Sequence, residues 1–139
     1  MQAHDVMTAN PVTVPPQATV AEVWDLMRER AVRHLPVVDA GAVVGMLSDR
    51  DLAYFDIARF LTTEGAEALQ RELSTPAVTV MSADVVAVTP DTDLADVVDL
   101  LVENRIGAVA VVRPDTQELV GIVSYIDVLE ALRGLLEVA

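Results

Sequence analysis

The sequence predicts an α+β fold made of two copies of one β-α-β-β-α unit that pack on each other. Three observations carry the prediction. The stretch His34 to Asp51, HLPVVDAGAVVGMLSDRD, holds two β-branched runs around the turn residues Asp39-Ala40-Gly41 and leaves through a polar exit, Ser48-Asp49-Arg50-Asp51. A second version of it runs from Val109 to Asp127. Up to the hairpin turn the two copies match at one offset, 80 − 6 = 74, since Val80-Met81-Ser82 echoes Val6-Met7-Thr8.

Taken in order, the chain opens with Asp5-Val6-Met7-Thr8 and a short extended piece bracketed by Pro11, Pro15 and Pro16. Thr19-Val20-Ala21-Glu22 has the form of a capping box, so a helix starts at Val20. Val20, Val23, Met27 and Ala31 then fall on one helical face. After the hairpin, Leu52 to Leu61 reads as helix, Thr63-Glu64-Gly65 breaks it, and Ala66 to Leu73 offers a further short helix that Ser74-Thr75-Pro76 ends. The offset then pairs Val12 with Val86, Val14 with Val88, Pro16 with Pro90, Val23 with Val97 and Val37 with Val111. The second hairpin turn, Arg113 to Glu118, is longer by two residues, after which Gly45 matches Gly121 and Ser48-x-x-Asp51 matches Ser124-x-x-Asp127. The repeats bound the units at 1–60 and 80–139, with a helical linker over 61–79. Ala131, Leu132, Leu135 and Leu136 close the chain as an apolar helical stretch, read first as core and second as a subunit contact.

Composition narrows the function classes. A net charge of −13, from 22 acidic and 9 basic residues, repels nucleic acid phosphate and anionic lipid, so neither is an expected partner. With no cysteine there is no disulfide framework, thiolate nucleophile or sulfur metal site, and two histidines without Cys make a metal site unexpected. No apolar run reaches the roughly 20 residues of a membrane span, and the first residues lack the pattern of a signal peptide. The expected location is the cytoplasm. H-E-x-x-H, G-x-S-x-G and G-x-x-x-x-G-K-[ST] are all absent, and no nucleophile and base pair stands out, so an enzyme is not expected.

Two units that each read strand, helix, strand, turn, strand, helix, led by VMT or VMS and ended by G-h-h-S-x-x-D, resemble the CBS domain, the regulatory module named after cystathionine β-synthase, present as a tandem pair. The resemblance covers nearly the whole chain, and its strength is the order of elements, twice over in one register. It implies units paired with pseudo-twofold symmetry, clefts that bind an adenine nucleotide such as AMP, ADP or ATP, a homodimer, and possible control of an effector protein, with no cofactor required. By the same resemblance Asp51 is the ribose-binding carboxylate, Ser48 and Asp49 lie beside it, and Arg50 is a phosphate partner. Thr13, Val14, His34, Leu35 and Pro36 are adenine-facing, and Met46 is a slot wall. In the second unit the matching positions are Ala87, Val88, Val109, Ala110, Ile122, Ser124, Tyr125 and Asp127.

The second unit departs from the first. Gly107-Ala108 replace Arg33-His34, Ala110 replaces Pro36, and Tyr125-Ile126 replace Asp49-Arg50, so the local phosphate donor is missing and the two sites are expected to be unequal. A plain reading stands beside each of these residues. Ser48 and Ser124 followed by acids are ordinary helix N-cap chemistry, which needs no ligand. Arg50 serves nearly as well as a surface ion-pair partner, Gly45 and Gly121 mark close backbone approach, and Trp24 reads as packing or subunit contact before an aromatic stacking platform. The alternative to a nucleotide sensor is a ligand-free dimerisation or scaffold module, with Tyr54 to Leu61 and Val128 to Leu136 as candidate surfaces.

Overall fold

The computed structural model describes residues 1–53 and 65–138. In chain order the elements are α1 (Ala3–Val6), β1 (Thr8–Ala9), α2 (Val20–Arg30), β2 (His34–Asp39), β3 (Ala42–Ser48), α3 (Asp49–Leu52), α4 (Gly65–Leu73), α5 (Ala77–Val80), β4 (Ala87–Val88), α6 (Leu94–Asn104), β5 (Ala108–Val112), β6 (Leu119–Ser124) and α7 (Tyr125–Val138). The fold is α+β, as the sequence predicts. The helix expected from Leu52 to Leu61, and the surface from Tyr54 to Leu61, fall almost wholly outside the described residues.

Helix α2 begins where its capping box places it. The Thr19 hydroxyl accepts from the Glu22 N–H at 3.2 Å, and the Glu22 carboxylate accepts from the Thr19 N–H at 3.2 Å. Val20, Val23 and Met27 are buried as the periodicity predicts, but Ala31 is not part of that face. It is the C-cap, exposed and left-handed at φ 53°. The turn between β2 and β3 also uses left-handed backbone, Ala40 at φ 51° and Gly41 at φ 85°, which suits a two-residue hairpin. The short helices α1 and α5 have no counterpart in the sequence reading, because four residues are too few to show a helical period.

The chain forms two compact bodies. The first comprises Thr13–Asp39 and Val44–Ala83, the second Met1–Val12, Ala40–Val43 and Asp84–Ala139. These do not follow the repeat boundaries at 1–60 and 80–139, because the leader segment of each repeat packs into the other repeat's body. In the second body β1 pairs antiparallel with β6, Thr8 opposite Ile122 and Ala9 opposite Gly121. The Ala3 and His4 N–H groups donate to the carbonyls of Thr92 and Pro90 at 2.8 and 2.9 Å. In the first body the leader of the second repeat plays the same part. Met46 and Ser82 exchange backbone hydrogen bonds at 3.0 and 2.9 Å, and the Ala77 N–H donates to the Ala18 carbonyl at 2.7 Å.

The second body holds a four-stranded sheet in the order β1-β6-β5-β4, with β4 parallel to β5 and the other pairs antiparallel. Its core gathers Ala3, Val88, Val97, Leu101, Val109, Val111 and Val123. All five residues of β5 are buried, which accounts for an uninterrupted apolar run instead of alternation. Strands β2 and β3 form a two-stranded sheet, and in the first body Val14 bridges Val37 in parallel and Val14, Val20, Val23, Leu35, Val37, Leu47 and Leu52 are buried. Among the described residues no helix is long and apolar enough to cross a membrane.

Candidate functional site

The polar exit of the first body is built by the hairpin. The Asp49 N–H donates to the Arg33 carbonyl at 2.9 Å, so the end of β3 and the entry to β2 meet at one corner. That bond brings Arg33, His34, Ser48, Asp49, Arg50 and Asp51 together. Arg33 is a member of the corner that the sequence reading used only for comparison, and the signal for it was its replacement by Gly107 in the repeat.

At the strand-to-helix step the Ser48 N–H donates to Asp51 Oδ2 at 2.9 Å, and the Asp51 N–H donates to Ser48 Oγ at 3.2 Å. The plain cap role is therefore real. It also holds the Asp51 carboxylate in one half-buried orientation, through Oδ2. Burial is the main cause that pushes the His34 imidazole below its ordinary pKa. The carboxylates of Asp49 and Asp51 oppose that shift, and Arg33 adds to it.

The base-side residues divide. Thr13 is exposed and the Val14 N–H donates to the Pro36 carbonyl at 3.1 Å, which sets the first strand against the start of β2. His34 and Met46 are half-buried and offer surface to a ligand. Leu35 and Pro36 are fully buried, so they belong to the core and present no side-chain surface here.

The second body repeats the geometry with different chemistry. The Tyr125 N–H donates to the Gly107 carbonyl at 2.9 Å, the counterpart of the Asp49 to Arg33 bond. Asp127 Oδ2 accepts from the Ser124 N–H at 2.8 Å and lies 3.1 Å from Ser124 Oγ. Ala87 lies opposite Ala110, and Ala110 opposite Ile122, in one row across the sheet. Ala87 and Tyr125 are exposed and Val88 and Ile122 nearly buried, whereas Val109 and Ala110 are fully buried and belong to the core. Both faces of β5 are covered, which spacing in the sequence does not reveal. Gly45 and Gly121 are explained by packing: Met81 and Met7 lie against them. Among the described residues no group of His, Cys, Asp and Glu could hold a metal ion.

The family model for the CBS domain matches this chain twice, over residues 3–57 and 77–134. The chain belongs to the CBS domain family. The CBS domain-containing protein YhcV of Bacillus subtilis is 37% identical over 123 residues, which cover 88% of this chain and 79% of that protein. The structure of AcuB from Vibrio cholerae is similar with a TM-score of 0.80 and 30% identity, covering 99% of this chain and 93% of that one. The structure of CBSX2 in complex with AMP is similar with a TM-score of 0.78 and 27% identity, covering 96% and 97%. The two matched segments make this a tandem CBS pair.

Proposed function

We propose that this CBS pair is a regulatory module that binds an adenosyl ligand of the AMP, ADP or ATP class at the Ser48–Asp51 corner, needs no resident cofactor, and works in the cytoplasm on an effector protein. The observation that carries the reading is the half-buried Asp51 carboxylate, held by its own cap through Oδ2 at the strand-to-helix step, a carboxylate of the kind that accepts ribose hydroxyls. Arg50 and Arg33 stand beside it to pair with phosphate, and His34, Met46 and Thr13 supply the half-buried or exposed surface for a base. Similarity to CBSX2, whose structure holds AMP, supports the ligand class. Binding changes a partner contact only to the extent that the ligand prefers one arrangement of the module over another. A thermal-shift panel of AMP, ADP, ATP, S-adenosylmethionine and NADH tests the reading. A ligand at a hundredfold excess over its Kd adds about 2.7 kcal/mol to the native state. No shift with any of the five overturns it.

A second reading, a scaffold that acts through self-association alone, is favoured by one observation. Helix α7 exposes Tyr125, Leu129, Leu132 and Leu136, spaced four, three and four residues apart as in a helix–helix seam, with Leu132 at 48% and Leu136 at 67% exposure. Size-exclusion chromatography with light scattering decides it, with a dimer expected for the wild type and a monomer for Leu132→Glu.

A further inference from the structure

Each body holds one leader in a socket, and the two sockets correspond residue for residue. The leaders are Ala3-His4-Asp5-Val6-Met7-Thr8 and Ala77-Val78-Thr79-Val80-Met81-Ser82, a shared A-x-x-V-M-[ST]. Ala3 and Ala77 are both fully buried. The Ala3 and His4 N–H groups donate to the carbonyls of Thr92 and Pro90, and the Ala77 and Val78 N–H groups donate at 2.7 and 3.0 Å to the carbonyls of Ala18 and Pro16, the matching positions. In return the Leu94 N–H donates to the Met1 carbonyl as the Val20 N–H donates to that of Thr75, both at 2.9 Å. Thr8 pairs with Ile122 as Ser82 pairs with Met46, and Met7 lies on Gly121 as Met81 lies on Gly45. A socket therefore reads a buried alanine, a methionine on bare backbone and a set of main-chain hydrogen bonds. None of these depends on which copy of the chain supplies the leader.

The two leaders differ in the hinge that follows them. The first runs on through Asn10-Pro11-Val12, and Asn10 is left-handed at φ 49° directly before a proline, which drives the residue ahead of it toward extended backbone. The matching Asp84 precedes Val85 and has no positive φ. A short connection under strain favours handing its segment to a neighbour, because the opened hinge can extend while every socket contact is kept. We infer that the Gly121 socket takes the first leader of a second copy of this chain, so that two copies exchange residues 1–9 and relieve the Asn10 hinge. The exchange depends on neither an adenosyl ligand nor the α7 face. A tether of this length presents its own leader at roughly millimolar effective concentration, so crossing is favoured when chains fold together at comparable concentration.

The chain has no cysteine, so introduced thiols report a crossing directly. Thr8 and Ile122 stand opposite each other in an antiparallel pair, a separation that a disulfide can span. Full-length chains carrying Thr8→Cys and chains carrying Ile122→Cys, both with Leu132→Glu to disable the α7 face, are mixed in urea, refolded together at about 1 mM and oxidised. The expected product is a covalent dimer whose peptide map links position 8 of one chain to position 122 of the other, in excess over 8–8 and 122–122 links and rising with refolding concentration. Asn10→Gly in both chains, which removes the strain, lowers that yield severalfold. Absence of the 8–122 link between chains, when Thr8→Cys and Ile122→Cys in a single chain close a disulfide within it, overturns the exchange. An undiminished yield with Asn10→Gly overturns the hinge as its cause.

Discussion

Met81 packs its thioether against the α-carbon of Gly45 in the middle of β3, and Met7 does the same against Gly121 in β6. The recurrent V-M-T/S leader and the recurrent strand glycine are therefore two halves of one contact, made once in each body. Methionine fits here because its unbranched side chain can lie flat on a bare backbone.

The two contacts differ in what surrounds them, and that sets up a comparison. The three nearest atoms to a β-carbon built on Gly45 all belong to the Met81 side chain, whereas one built on Gly121 also meets the Thr8 carbonyl oxygen at 3.1 Å. Gly45→Ala is expected to cost about 1–3 kcal/mol in urea unfolding, and Met81→Ala in the same chain should recover part of it. Gly121→Ala should cost more and be rescued less by Met7→Ala, because the strand pairing of Thr8 cannot move aside.

The cap and the candidate ligand contact share one residue, so two substitutions separate them. Asp51→Ala removes the acceptor for the Ser48 N–H and should lower stability by about 1 kcal/mol as well as abolish AMP binding. Asp51→Asn keeps an acceptor for the cap but loses the charge. It should unfold near the wild-type midpoint while AMP affinity still falls. Unchanged AMP affinity in Asp51→Asn would place the ribose elsewhere.

His34 gives a pH dependence with a defined sign. Its folded pKa lies below its unfolded one, chiefly through burial, so the unfolded chain binds the extra proton first. The stability it supports is complete above the ordinary histidine range and is lost as pH falls from there through the lower, folded value. His34→Gln should flatten the stability profile over that interval, as read by thermal melts at stepped pH. An unchanged slope would mean that carboxylates alone set it.

Backbone strain predicts two stabilising changes. Ala31 and Ala40 hold left-handed conformations, at φ 53° and 51°, that cost an L-residue about 1 kcal/mol. Ala31→Gly at the end of α2 and Ala40→Asn in the hairpin turn should each raise the urea midpoint, by up to about 1 kcal/mol in stability. The same changes at exposed helical positions such as Ala95 should lower it.

Much of this molecule was written in local chemistry. The Thr19 capping box, the Asp39-Ala40-Gly41 turn and both Ser-x-x-Asp exits form within a few residues of themselves, and each is found where its spacing places it. The repeat likewise identified the family, because two copies in one register need no tertiary information to be seen. Sequence also marked the contrast between Arg33-His34 and Gly107-Ala108 that makes the two corners unequal.

What only the tertiary structure decided is where each leader goes and which apolar residues a ligand can reach. Backbone hydrogen bonding at a sheet edge carries no sequence label, so nothing in Val6-Met7-Thr8 tells that it joins β6, nor in Val80-Met81-Ser82 that it joins β3. Burial is likewise a sum over all neighbours. Leu35, Pro36, Val109 and Ala110 stand at site-like positions in the repeat, yet other elements cover them completely, and α7 keeps its leucines exposed on an equally apolar pattern. A periodic pattern shows which face of an element is apolar, and only packing shows what covers it.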